Sequence, residues 1–358
     1  MRKIVILLII VVIFPIFSLK ISAEEKVDEF ISEFDNTLPE ELSGITDDPE
    51  RIIDTLGVEG ILREVLSVFL GNRSRIFSFF LTLLGVIALT SLASLCHQEM
   101  SKSVTAVVGI LGSLWIFPSL NSLISEILSS LKRISDFFAS LIPIAVSVTA
   151  LGGGERTALV QGSGMYLTLS ILSKVGGGIF SAVCSLGLAT ALLSPLGGEI
   201  TGSLSSGLKT VFSRTLGIFT AIMTAAFSLQ TLIASAADSA TMRAARYMAS
   251  GLIPIVGSTV AGALSTLTSG LSYAKGIIGG GAVAAIILLS LSPLVVILCY
   301  RIALSLSITL SDMLSAGASP IFTAYRSALD MTLALYALSV LIYLFEIIIF
   351  LKGGASLI

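Results

Sequence analysis

Long apolar runs follow a short acidic head along this 358-residue chain. No charged side chain interrupts Ile76–Leu95, Val104–Ser125, Val175–Gly198, Thr215–Ala237, Tyr247–Ala274 or Gly276–Tyr300. A hydrocarbon core about 30 Å thick takes about 20 apolar residues in a helix, and each run is long enough. The pattern predicts an all-α, polytopic membrane helix bundle of about seven to nine spans. The candidate spans are 76–95, 104–124, 137–153, 157–173, 177–196, 215–237, 249–270, 277–300 and 331–351. The stretch 302–314 is shorter and broken by Asp312, which suits an amphipathic, interfacial or re-entrant piece. Lysines and arginines are spread thinly over most loops, so the charge bias that orients membrane proteins is weak.

The head divides in two. Arg2 and Lys3, the apolar core Ile4–Phe17, and Ile21-Ser22-Ala23 before Glu24 have the form of a signal peptide over 1–23. An uncleaved anchor is the alternative, and either places Glu24 outside the cytoplasm. Residues 24–71 form a short acidic extracytoplasmic segment, and 72–358 the polytopic membrane domain. Phe30, Ile31 and Phe34 fall on one side of a partly helical stretch. Asp48, Pro49 and Glu50 suit the cap, first position and positive end of a helix. The apolar face from Ile52 to Phe69 continues it, and Gly71 is placed to end it. At this size the segment cannot hold a good core alone. It packs on the membrane domain, lies at the interface or binds a partner.

Composition agrees with this layout. Mean hydropathy is +1.00, and 12% of residues are charged, against about 25% in a soluble domain. Fourteen of the 23 acidic residues lie between Glu24 and Glu64, with Lys26, Arg51 and Arg63 as the basic residues there. No basic patch is available to neutralise phosphates, which argues against nucleic-acid binding. Cys96, Cys184 and Cys299 are scattered in or beside apolar runs. They read as small hydrophobes rather than a disulfide framework.

Glycine is concentrated in the bundle, with 22 of 32 between residues 151 and 281. Close helix packing is one reading. Helix breaks at a passage or moving element are the other. The hinge candidates are Pro143, Gly176, Gly177, Gly178, Pro254, Gly279, Gly280 and Gly281. A weak internal repeat sets Phe138–Ile144 against Met248–Ile255. Each segment is followed by a glycine triplet and then Ser-Pro, at Ser194-Pro195 and Ser292-Pro293.

Charged groups inside a membrane bundle are costly and often functional. The candidates are Glu155, Arg156, Asp238, Arg243, Arg246, Asp312 and Glu346. Interfacial loop charges or structural pairs are the plainer reading, and least so for Glu346, which lies within the final run. Enzyme signatures are missing: no P-loop, no zincin motif around His97, and no base near Gly162-Ser163-Gly164. No catalytic residue, metal or cofactor is expected.

The order of Gly153-Gly154-Glu155-Arg156 through Gly162, then Ala237-Asp238-Ser239, Arg243, Arg246 and Ile253-Pro254-Ile255-Val256-Gly257 resembles the stage III sporulation protein AE family of endospore-forming bacteria. The likeness covers nearly the whole chain. It implies a non-enzymatic, multi-pass subunit in the mother-cell membrane surrounding the forespore. Its partners would be the other stage III sporulation membrane proteins of the same operon and their ATPase, forming a channel or feeding apparatus. That apparatus supports late forespore development and late sigma-factor activity. Homo-oligomerisation is left open. A stand-alone secondary transporter of a small solute or ion is the alternative, and an intramembrane hydrolase through Ser163 and His97 a distant third.

Overall fold

The computed structural model describes residues 28–38, 54, 57–94, 98–151, 155–174, 178–196, 199–252, 257–314 and 317–352. Among these, side chains are described except at 94, 98–103, 105, 155–156, 196, 199–202, 204–205, 233–252 and 257–271. The signal-like 1–23, the helix start at Asp48-Pro49, Cys96, His97, Gly176, Gly177 and Pro254 lie outside the described residues.

All described elements are helical. They are α1 (28–35), α2 (Val58–Ser94), α3 (Gln98–Leu151), α4 (Glu155–Lys174), α5 (Phe180–Leu193), α6 (Glu199–Leu252), α7 (Gly257–Met313) and α8 (Ser319–Lys352). A 3-10 turn, Ser194–Leu196, follows α5. Among the described residues, five helices are long and apolar enough to cross a membrane: Val58–Ala93, Ala106–Leu151, Ser206–Leu232, Ser272–Met313 and Ser319–Lys352. Several of the expected runs fuse into longer helices. The candidates 104–124 and 137–153 are two parts of the 54-residue α3. The candidate 277–300 and most of the shorter stretch 302–314 share α7. At a rise of 1.5 Å per residue α3 is about 80 Å long, far beyond one hydrocarbon core.

Cross-helix pairs explain why charges do not end these helices. Arg75 of α2 meets Glu126 of α3 in an ion pair, and Arg301 of α7 meets Asp330 of α8. Arg75 also stands 6.0 Å from the Tyr300 ring centroid, and Phe79 stacks on that ring at 4.1 Å. A charge with a partner on the next helix can sit in mid-helix without unwinding the backbone.

Helices α3 and α8 run side by side in the same direction, joined by a ladder of tyrosine contacts. Tyr325 Oη lies 2.8 Å from Ser113 Oγ. Tyr336 Oη lies 2.8 Å from Ser130 Oγ, and the Tyr343 and Phe138 rings meet at 4.9 Å. All three tyrosines are buried. Ser130 Oγ also reaches the Leu289 carbonyl of α7, at 2.9 Å. Tyr336→Phe should therefore cost about 1 kcal/mol, one net hydrogen bond, because Ser130 keeps a second partner. Thermal unfolding in mild detergent would measure it.

Some expected breaks prove to be continuous helix. Pro143 lies inside α3, and α7 runs unbroken through Gly279-Gly280-Gly281 and Pro293. Glycine at 279 serves packing: a Cβ there would come within 2.3 Å of Leu351 Cδ2 on α8. Gly71 likewise does not end its helix, since α2 continues to Ser94. A mid-helix glycine costs about 1 kcal/mol, which the flanking apolar packing outweighs. The proposed repeat fares unevenly. Ser194-Pro195 falls in a 3-10 turn, whereas Ser292-Pro293 lies within α7.

The turn between α7 and α8 is built locally. Gly317 has φ 73, the left-handed region where glycine is favoured. The Ala318 N–H donates to Ser311 Oγ at 3.2 Å, and Pro320 suits the first turn of α8. In the acidic head, Phe34 is fully buried and joins the bundle's core, with Phe30 packed against it.

Candidate functional site

A buried polar cluster lies where α4, α6 and α8 meet. Glu346 of α8 is 1% exposed. Its Oε1 accepts a hydrogen bond from Thr168 Oγ1 of α4. Its Oε2 accepts one from Gln230 Nε2 of α6, at 3.2 Å. Both partners are neutral. A second polar step continues toward α3: Thr149 Oγ1 donates to Gln161 Oε1 at 3.2 Å, and Gln161 Nε2 donates to the Ile349 carbonyl at 3.3 Å. Thr149, Gln161, Thr168 and Gln230 are all buried. Gln161 and Thr168 are seven residues apart, so two helical turns carry them on one face of α4. Glu346 and the Ile349 carbonyl sit one turn apart on α8.

Gly164 makes this arrangement possible. It lies on the same face of α4, between Gln161 and Thr168. A Cβ there would meet Gln230 Nε2 at 1.9 Å and its Cδ at 2.4 Å. The Gln230 amide thus passes directly over the bare backbone of Gly164 on its way to Glu346. Gly164→Ala should push the amide off Glu346, leaving a buried donor and acceptor short of one partner. The expected loss is about 1–2 kcal/mol, read by thermal unfolding, and Gly164→Ala should add little in a Gln230→Ala background.

Of the charged residues singled out by sequence, the structure brings Glu346 into this cluster. Asp312 is exposed near the C-terminal end of α7. Glu155 and Arg156 open α4, and Asp238, Arg243 and Arg246 lie within α6. Their side chains are outside the description. Gly178 is described, two residues before α5. The neutral members Thr149, Gln161, Thr168 and Gln230 were missed. The available signal was the pair of glutamines set in apolar helices, where an unpaired amide is costly. Gln161 lies beside the Gly162-Ser163-Gly164 motif; Ser163 is exposed and donates back to the Leu159 carbonyl.

Elsewhere, a largely apolar groove of about 640 Å³ opens between α2 and α7, lined by Phe69, Phe77, Phe80, Ile302 and Leu306, with Arg73 in its wall. Among the described residues no three His, Cys, Asp or Glu side chains gather as a metal site would need.

Fold and cluster together define a class: a multi-helix membrane-type bundle with a buried carboxyl held by neutral side chains from two other helices. The model of a family described as stage III sporulation protein AE matches residues 52–354, and the chain belongs to that family. It is 22% identical over 270 residues to stage III sporulation protein AE of Bacillus subtilis (strain 168), covering 73% of this chain and 66% of that relative. The chain thus matches slightly less than two thirds of the relative's length. No solved structure matches it.

Proposed function

We propose that this chain is a non-enzymatic, multi-pass subunit of a channel complex linking the mother cell to the forespore during endospore formation. The observation that carries the reading is the family match over 52–354, which takes in all five helices suited to crossing a membrane. The partners would be the other stage III sporulation membrane proteins of its operon and their ATPase, which would supply the energy. The chain would sit in the mother-cell membrane around the forespore, with residues 24–71 outside the cytoplasm. An outward apolar stripe on α6, Val211, Ile218, Ile222 and Leu229, supports embedding in lipid or against neighbouring subunits.

The test is affinity purification of the tagged chain from sporulating cells in mild detergent, followed by mass spectrometry. Recovery of sibling sporulation membrane proteins and the ATPase is expected. A deletion strain that completes late sporulation normally would sink the reading. One observation favours a second reading, a stand-alone transporter: the buried Glu346 cluster lies inside the bundle, where carriers place coupling groups. Recovery of the chain alone, with solute movement in liposomes, would favour it.

A further inference from the structure

We propose that Glu346, Thr168 and Gln230 form a binding site for one small monovalent cation, a proton or Na⁺. The inference goes beyond the complex reading and stands whether the chain works with partners or alone.

The argument starts from the choice of partners. The bundle uses arginine where it fixes a carboxylate permanently, at Arg75–Glu126 and Arg301–Asp330. Those side chains are about a third exposed. At 1% exposure, where a fixed counter-charge would matter most, Glu346 is instead held by a hydroxyl and an amide. Both groups can donate or accept. With the carboxylate ionised, Thr168 and Gln230 donate to it. With a proton on either carboxyl oxygen, the Thr168 hydroxyl or the Gln230 amide oxygen can accept. With the proton on Oε1 and Thr168 accepting it, Gln230 Nε2 still donates to Oε2, so the carboxyl keeps both partners in either state.

The same set suits Na⁺. Turning the Gln230 amide presents Oε1 in place of Nε2. Together with both Glu346 oxygens and Thr168 Oγ1 it gives four oxygen donors from three helices. Oxygen is the ligand that hard cations take. Gly164 supplies the room for that turn, because the amide lies over its missing Cβ. Gln230 itself is 8% exposed, so the three ligating side chains are all buried in the bundle. A fixed structural carboxyl needs no partner that can turn.

The surrounding charges are few. Helices α4 and α6 face Glu346 with Thr168 and Gln230. From α7, Lys275 lies 4.8 Å from the Phe350 ring centroid, one turn along α8 from Glu346. From α3, Asp136 acts on Tyr343 and Arg133 on Tyr336, one and nearly three turns from Glu346 in the other direction. From α5, Cys184 contacts Thr332 at 3.2 Å, further still along α8.

The experiment uses the full chain purified in mild detergent. Thermal unfolding is followed while Na⁺ replaces choline at constant ionic strength, and separately across pH without Na⁺. Other titrating groups act equally in wild type and Glu346→Gln, so the difference between them isolates this site. A wild-type midpoint that shifts by several degrees with Na⁺ while Glu346→Gln stays flat identifies Na⁺. A difference in the pH series alone identifies the proton. Parallel curves for the two proteins in both series overturn the proposal, as does a wild type flat in both. If Glu346→Gln does not fold, Thr168→Val decides: a cation response moved to higher concentration supports the site, and an unmoved response overturns it. Co-purification tests the complex reading separately, so the two can fail independently.

Discussion

Gly112→Leu is expected to force α2 and α3 apart and to cost about 3 kcal/mol or more, the upper end for overpacking. A Cβ at position 112 would lie 2.7 Å from Val86 Cγ1 and 3.1 Å from Val86 Cγ2. Val86 is 1% exposed and β-branched, so in a helix it has one strongly preferred rotamer and cannot swing aside. Movement must come from the backbone, and α2 also carries the Phe79–Tyr300 stack and the Arg75–Glu126 pair. Separation at Gly112 would strain both of these contacts. The measurement is thermal unfolding in detergent, with two controls. Gly71→Leu should be tolerated, since a Cβ there meets nothing within 4 Å. Val86→Ala should partly rescue Gly112→Ala, a coupling that a double-mutant cycle would read. Equal losses at positions 71 and 112 would contradict the close approach.

What sequence reading caught and missed follows one physical distinction. Apolar content is a local property, so the helices and their suitability for a membrane were legible from the uncharged runs. Pairing across helices is not local. The charged stretch between the candidates 104–124 and 137–153 reads as a span boundary, yet α3 runs through it, because nothing in the sequence announces that Arg75 waits for Glu126. Arg301 likewise separates 277–300 from 302–314 in the sequence, and Asp330 answers it from α8. Glycine showed the same ambiguity. The triplet at 279–281 permits a break, but α7 uses Gly279 to admit Leu351. For the site, Glu346 stood out because a charge in an apolar run is conspicuous. Thr168 and Gln230 did not, since single neutral polar residues are common in membrane helices. Only the folded bundle brings residues 168, 230 and 346 together.

The second large effect is expected at Glu346. Glu346→Ala removes the acceptor for two buried groups and opens a cavity between α4, α6 and α8. Thr168 has an escape, because a helical threonine hydroxyl can turn back to the carbonyl four residues earlier. Gln230 lacks that short bond back to its own helix, and its amide, on a residue 8% exposed, loses the Glu346 acceptor. Orphaned polar groups and lost packing together give about 2–4 kcal/mol. The membrane-embedded unfolded chain finds partners of its own, which favours the lower half of that range. Glu346→Gln keeps the volume and an acceptor, and should lie within about 1 kcal/mol of wild type. Glu346→Leu refills the cavity yet orphans the same donors, and should fall between the two. That ranking, Gln above Leu above Ala, separates hydrogen bonding from cavity filling. Leucine as stable as glutamine would mean that burial alone holds α8 here and that Thr168 and Gln230 contribute little. With the expected order, a stable Glu346→Gln that no longer answers to cations would divide the carboxyl's part in packing from its part in binding.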